Sequence, residues 1–236
     1  MNKKKLIKYG NRKIEYSVIY SNRKTLEIAV HPDSSVIITA PRNCGQIKIK
    51  EKIVFRARWI IKQIDYFKQF EPRTPPKQFL NGETHLYLGR QYRLKLKTEL
   101  RENVTLKRGY FIVSIRNTQD RVKIKELLYN WYYEKALEKF NELYDLCWKS
   151  FRQPMIEKPV LKIRKMKKRW GSLSKKGMLT LNIELIKAPK ECIEYVIIHE
   201  LCHILHHNHS KEFYKLLEET MPDWNERKHK LEIITS

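Results

Sequence analysis

Apolar and polar positions first alternate along this chain, then recur at helical spacing, then alternate again. Over Leu26-Glu27-Ile28-Ala29-Val30 the apolar residues alternate; Asp33-Ser34-Ser35 supplies a turn, and Val36-Ile37-Ile38-Thr39-Ala40 runs on until Pro41. That pattern predicts a hairpin. From about Gln46 to Phe70 the period becomes helical, with Ile53, Ala57, Trp59, Ile60, Ile64 and Phe67 as its apolar positions, and Pro72, Pro75 and Pro76 close it. A second β section opens at the tight-turn pair Asn81-Gly82, with short strands predicted over Leu86–Leu88, Tyr92–Leu96, Val104–Leu106 and Tyr110–Ile115. Beyond this general likeness of the two β sections no internal repeat is legible.

A long helix is predicted from about Thr118 to Phe151, with Ile124, Leu128, Trp131, Leu137, Phe140 and Tyr144 mostly at helical spacings. Its aromatic residues Tyr129, Trp131, Tyr132, Tyr133 and Trp148 are read as core rather than as a stacking surface. Two strands follow, Val160–Met166 and Met178–Leu185, joined through Trp170-Gly171-Ser172 and the turn Lys175-Lys176-Gly177. Pro189 suits the start of a last predicted helix, and Glu191 sits near its positive end. The order is that of an α+β protein: a β-rich N-terminal part with one helix over residues 1–116, then an α-β-β-α unit over 117–236.

Charge adds a question about partners. The 236 residues carry 49 Lys+Arg against 26 Asp+Glu, a formal charge of +23. Met1 to Lys13 and Lys158 to Arg169 contain no acid at all. Such a field attracts polyanions, so DNA, another polyanion, or proteins associated with nucleic acid join the expected partners. No apolar run reaches the length of a membrane span. The basic opening MNKKKLIKYG has no apolar stretch behind it, so no signal peptide is expected. Cys44, Cys147, Cys192 and Cys202 form no CxxC pair, which fits free thiols in a reducing cytoplasm.

The last predicted helix carries the chemistry. His199, Glu200 and His203 form HExxH, and residues four apart share one helical face. Two imidazoles so placed can share a zinc ion at ~2.0–2.1 Å, and the neighbouring carboxylate can take a proton from water whose pKa the ion lowers. Catalytic zinc wants a third protein ligand. His206 shares the face but lies ~10.5 Å along the axis from His199, and His207 points elsewhere. His209 serves if the helix ends and the chain doubles back, with Asn208 in a left-handed turn and Ser210 capping the next helix. A carboxylate from that next helix or beyond it (Glu218, Glu219 or Glu226) is the other option. Cys202 reads as an apolar filler.

His199-Glu200-Leu201-Cys202-His203, Asn208-His209-Ser210, Phe213 and Met221-Pro222-Asp223 resemble the YgjP-like metallopeptidases. So do Arg169-Trp170-Gly171-Ser172, Leu181-Asn182, Ala188-Pro189 and Tyr195-Val196, and more weakly Ala40-Pro41, Trp59-Ile60 and Leu88-Gly89-Arg90. The resemblance implies Zn2+ on His199, His203 and His209, with Glu200 as catalytic base and a protein or peptide as substrate. It also implies a zincin-like arrangement of a backing helix, a small antiparallel sheet and the metal helix. Trp170, Gly171, Ser172 and Asn182 then mark a candidate strand edge for substrate. Leu173 departs from the family, which commonly has Cys there. Beyond the metal, His229 and Tyr195 are candidates for holding the oxyanion. The competing reading is a basic nucleic-acid-binding module whose metal is structural or absent.

Overall fold

A computed structural model describes residues 4–31, 33–68, 77–151, 156–167 and 169–234. The chain forms two compact units, Met1–Pro75 and Pro76–Thr235.

In the first unit, β1 (Lys5–Tyr9), β2 (Arg12–Ser21), β3 (Glu27–Val30) and β4 (Val36–Pro41) form one sheet in the order β1-β2-β4-β3. The predicted hairpin is the antiparallel pair of β3 and β4, and Ser35 closes its turn by donating its N–H to Asp33 at 3.0 Å. β1 and β2 are not among the strands predicted from the sequence: in β1 Leu6 and Ile7 are adjacent between lysines, with Leu6 and Tyr9 exposed, whereas Ile14, Tyr16 and Val18 of β2 do alternate, a signal the sequence reading missed. α1 (Gln46–Lys68) buries Ile49, Ile53, Ala57 and Ile60 against Ile14, Tyr16, Val36, Ile38 and Ala40. Trp59, expected on the buried side of this helix, is instead exposed. The expected end of the helix at Phe70 and the proline loop lie outside the described residues.

The second unit begins with β5 (Thr84–Tyr87), β6 (Arg90–Thr98), β7 (Asn103–Lys107) and β8 (Tyr110–Ile115), in the order β5-β6-β8-β7. Its pairings copy those of the first sheet: antiparallel, parallel, antiparallel, with a helix to follow. The topology therefore repeats, although no repeat is legible in the residues. α2 (Arg121–Phe151) is the spine of this unit. Its buried residues Ile124, Leu128, Tyr132, Ala136, Phe140, Leu143, Tyr144, Cys147 and Phe151 recur at three and four. Leu137, read as core from spacing, is half exposed. A boundary at 116 would separate β8 from α2, whose side chains share one core with Phe111, Val113 and Ile115.

After α2 come β9 (Val160–Arg164), β10 (Gly171–Ser174) and β11 (Met178–Asn182), in the order β10-β11-β9. Two differences from expectation matter here. Trp170-Gly171-Ser172 leads into a strand of its own, so the unit has three strands here rather than two. The sheet is mixed rather than antiparallel, since β9 runs parallel to β11. The strand predicted to Leu185 stops at Asn182, whose side chain accepts the N–H of Glu184 and caps a 3-10 turn over Ile183–Lys187. α3 (Lys190–Cys202), α4 (Lys211–Thr220) and α5 (Trp224–Ile234) complete the unit. The β5–β6 turn reaches the start of α3: Leu88 and Gly89 donate to the carbonyls of Ile186 and Lys187. A Cβ on Gly89 would lie 2.6 Å from Pro189, so glycine is needed there for close approach as well as for its φ of +78°. No helix among the described residues is long and apolar enough to cross a membrane.

Candidate metal centre

α3 is buried on nearly every side, with Cys192, Ile193, Tyr195, Val196, Ile197, Ile198, Leu201 and Cys202 all in the core. α5 grips its first half. Arg227 donates to Glu194 at 2.6 Å and to Asp223 at 2.8 Å, and Lys230 donates to Glu191 at 2.5 Å. His199 and Glu200 occupy the last turn of α3, and His203 is its C-cap. The chain then reverses without a left-handed residue; Asn208 has no positive φ, and its carbonyl accepts the Ser210 N–H at 2.9 Å. Ser210 caps α4 as expected, its side chain accepting the Phe213 N–H.

The reversal brings His209 back onto the helix. The ligand atoms of His199, His203 and His209 all lie within 4.8 Å of one another. All three rings pack around Phe213, with centroids 5.0, 4.7 and 4.8 Å away. Among the described residues no other His, Cys, Asp or Glu joins this cluster, so Glu218, Glu219 and Glu226 stand apart from it. His206 contributes its backbone instead. Its carbonyl lies 2.9 Å from His203 Nδ1, and because a carbonyl can only accept, that nitrogen carries the proton and Nε2 keeps its lone pair.

The donor set fits a divalent metal. His199 Nε2 and His209 Nε2 face each other at 3.0 Å. Two lone pairs repel at that distance unless a proton or a cation lies between them, and tetrahedral zinc ligands sit ~3.3 Å apart. Burial, with His203, His209 and Lys228 nearby, pushes His199 down to about 3. Burial also lowers His209, helped by His203 and Lys228. Both rings are thus neutral at pH 7, the form that ligates. Burial pushes the Cys202 thiol up to about 12, in keeping with a filler.

Glu200 lies beside this cluster, 7% exposed. Burial pushes its carboxyl up to about 7, against the opposing effects of the Leu173 N–H, which donates to it, and of Arg169. β10 passes over the carboxylate. A Cβ on Gly171 would meet Glu200 Cγ at 2.7 Å and Oε1 at 2.8 Å, so only glycine leaves the side chain where it is. A groove of about 560 Å³ runs along this edge, lined by Gly171, Ser172, Leu173, His199, Glu200 and His209, among others.

The four edge candidates separate. Gly171 and Ser172 line the groove, and Trp170 packs against the core. Asn182 is buried and faces away, its amide donating to the carbonyls of Met166 and Arg169. Neither Tyr195 nor His229 lines the groove. Sequence reasoning missed the Leu173 N–H and Phe213 as the shared wall of the three rings. The N–H has no side-chain signal, and Phe213 reads along the helix as an ordinary core position.

The model of the YgjP-like metallopeptidase domain matches residues 24–233, nearly the whole chain. The chain belongs to the YgjP-like metallopeptidase family. This member is accordingly a hydrolase with a protein or peptide substrate and a divalent metal, which sets aside a module whose metal is structural or absent. No curated protein matches the YgjP-like chain. Among solved structures, the metallopeptidase zymogen jannalysin of Methanocaldococcus jannaschii is 25% identical; the match covers 39% of this chain and 87% of that one, with a TM-score of 0.35. The zymogen abylysin of Pyrococcus abyssi is 24% identical, with 37% and 87% covered and a TM-score of 0.33.

Proposed function

We propose that the chain is a zinc peptidase in which His199, His203 and His209 hold the ion and Glu200 is the general base, α3 being the active-site helix of a zincin-like unit. The convergence of three imidazoles beside a buried carboxylate carries the reading. Bound zinc supplies Lewis acidity, acidifying water and polarising a carbonyl. The chain's own residues do the rest. Glu200 takes a proton from the attacking water at a carboxylate oxygen and delivers it to the leaving amine nitrogen. Gly171 and the Leu173 N–H hold that carboxylate in place, and the hydrophobic wall of Phe213 orients the three rings. β10 is the outer strand of its sheet, and an extended substrate pairing along it passes Gly171 and Ser172 on the way to Glu200.

The test is hydrolysis of denatured casein by Glu200→Gln. The expected outcome is loss of at least ~10³-fold in activity with metal content unchanged; cleavage at the wild-type rate contradicts the assignment. Substrates held on nucleic acid are a second reading, favoured by the +23 charge alone. It expects DNA to stimulate proteolysis at low salt and the effect to fade as salt rises; indifference to DNA at low salt removes it.

A further inference from the structure

The outer face of α1 is built for contact with something. Each of Lys52, Phe55, Arg56, Trp59 and Lys62 lies three or four residues from another of the set, and together they form a continuous stripe alongside the buried face. Phe55 is 75% exposed and Trp59 41%, unusual for large aromatics on a helix whose apolar side is already packed. Lys52 Nζ and the Arg56 guanidinium lie 5.6 and 5.8 Å from the Phe55 ring centroid.

Two recesses flank Trp59. One, about 230 Å³, is lined by Leu26, Ile28, Lys52, Arg56 and Trp59. The other, about 450 Å³, is lined by Phe55, Arg56, Arg58, Trp59 and Lys62, without a carboxylate. None of Lys52, Arg56, Arg58 and Lys62 has an ion-pair partner among the described residues. Of the acids on this helix, Asp65 is held by Arg12 at 2.6 Å, and Glu51 lines a separate recess with Ile47, Lys50, Val54 and one side of Phe55, away from the two that flank Trp59. The whole unit carries seventeen Lys/Arg against six Asp/Glu over Met1–Pro75.

We propose that this face binds a single strand of nucleic acid, with bases stacked on Phe55 and Trp59 and phosphates held by Lys52, Arg56, Arg58 and Lys62. Aromatic platforms interleaved with unpaired cations are what an unstacked strand requires; every base offers a π-face and every nucleotide a charge. An acidic peptide would use the cations and leave the rings idle. A lipid surface would also use both, and Ile47 and Val54 add exposed apolar area beside Phe55; the recesses on either side of Trp59, each with Arg56 in its lining, favour a flat base beside a phosphate, and vesicle binding is an outcome of the test. The site lies within the first unit and stands whether or not the peptidase acts on nucleic-acid-bound proteins.

The experiment titrates the full chain into fluorescently labelled oligothymidylate and oligouridylate of about twenty nucleotides, at about 50 mM salt. The wild type is expected to bind a single strand and to prefer it to a duplex of equal length. Phe55→Ala with Trp59→Ala is expected to weaken binding at least ~10-fold while the unfolding midpoint stays put, since both rings already face solvent. Arg56→Glu with Arg58→Glu is expected to abolish binding. Both double variants should hydrolyse casein at the wild-type rate, which keeps this test apart from that of Glu200. Absence of binding by the wild type overturns the proposal. So does equal binding by the aromatic variant, equal affinity for duplex, or Phe55- and Trp59-dependent binding to anionic phosphatidylserine vesicles without binding to either strand.

Discussion

At the residue scale, Gly171 sets the position of Glu200 as firmly as the helix does. A methyl group there would sit 2.7 Å from Glu200 Cγ and must displace the carboxylate or the strand. Gly171→Ala is therefore expected to lower kcat about 10²-fold, the cost of misplacing a reacting group by ~1 Å, while metal content stays at the wild-type value. Unchanged kcat would show that the strand yields instead. Side-chain spacing made His199, Glu200 and His203 legible, because four residues along a helix is a local geometry. The role of Gly171 is not local: it depends on β10 crossing α3, which no pattern within either segment expresses. Asn182 shows the reverse error. Its place in a resembling motif suggested contact with substrate, whereas its amide ties down the backbone of Met166 and Arg169.

At the scale of elements, the third imidazole depends on how α3 ends and α4 begins. Helix and loop part at His203, and the Ser210 cap fixes the start of α4 just after His209. Ser210→Ala is expected to cost about 1 kcal/mol of stability. It should also weaken metal affinity several-fold, because the cap anchors the segment that carries His209. Calorimetric titration with zinc, beside thermal unfolding, checks both; unaltered affinity in a destabilised variant would separate the cap from the site. The cap was legible as Ser210 before Lys211 and a hydrophobic pattern. The reversal itself was not, since hydrogen bonds rather than a left-handed Asn208 make it. β10 was read as a connection because Gly171-Ser172-Leu173-Ser174 has a single apolar side chain and little strand character of its own; pairing with β11 makes it a strand.

At the scale of the molecule, the repeated four-strand-and-helix topology lies beneath sequences that share no pattern, because a sheet specifies burial by alternation and tolerates many residues that alternate. The β-rich N-terminal part was legible from that alternation; the common strand order was not, since pairing partners are set by tertiary contact. The second unit also carries a pH-sensitive core position. His85 is 5% exposed and lies 3.1 Å from Glu83. Burial lowers its pKa, with Lys77 and Lys187 acting in the same direction and Glu83 opposing. A folded pKa below the unfolded value means that the unfolded chain binds the extra proton. Stability is therefore full above pH ~6.5 and falls as pH drops toward the folded value. His199 and His209 act in the same sense, so the contribution of His85 is the difference between wild type and His85→Gln. Thermal unfolding from pH 7.5 to 5 should show the smaller loss in the variant; a larger loss in the variant would mean that Glu83 outweighs burial.

The account as a whole turns on three nitrogens sharing one ion. Elemental analysis of the full chain, purified without chelators and loaded with zinc, tests this most directly when wild type is set beside single alanine variants at His199, His203 and His209. One zinc per wild-type chain is expected, with each substitution weakening its retention by at least ~10-fold. A wild-type chain that takes up no zinc, or a His209→Ala chain that holds it as tightly as wild type, contradicts the account.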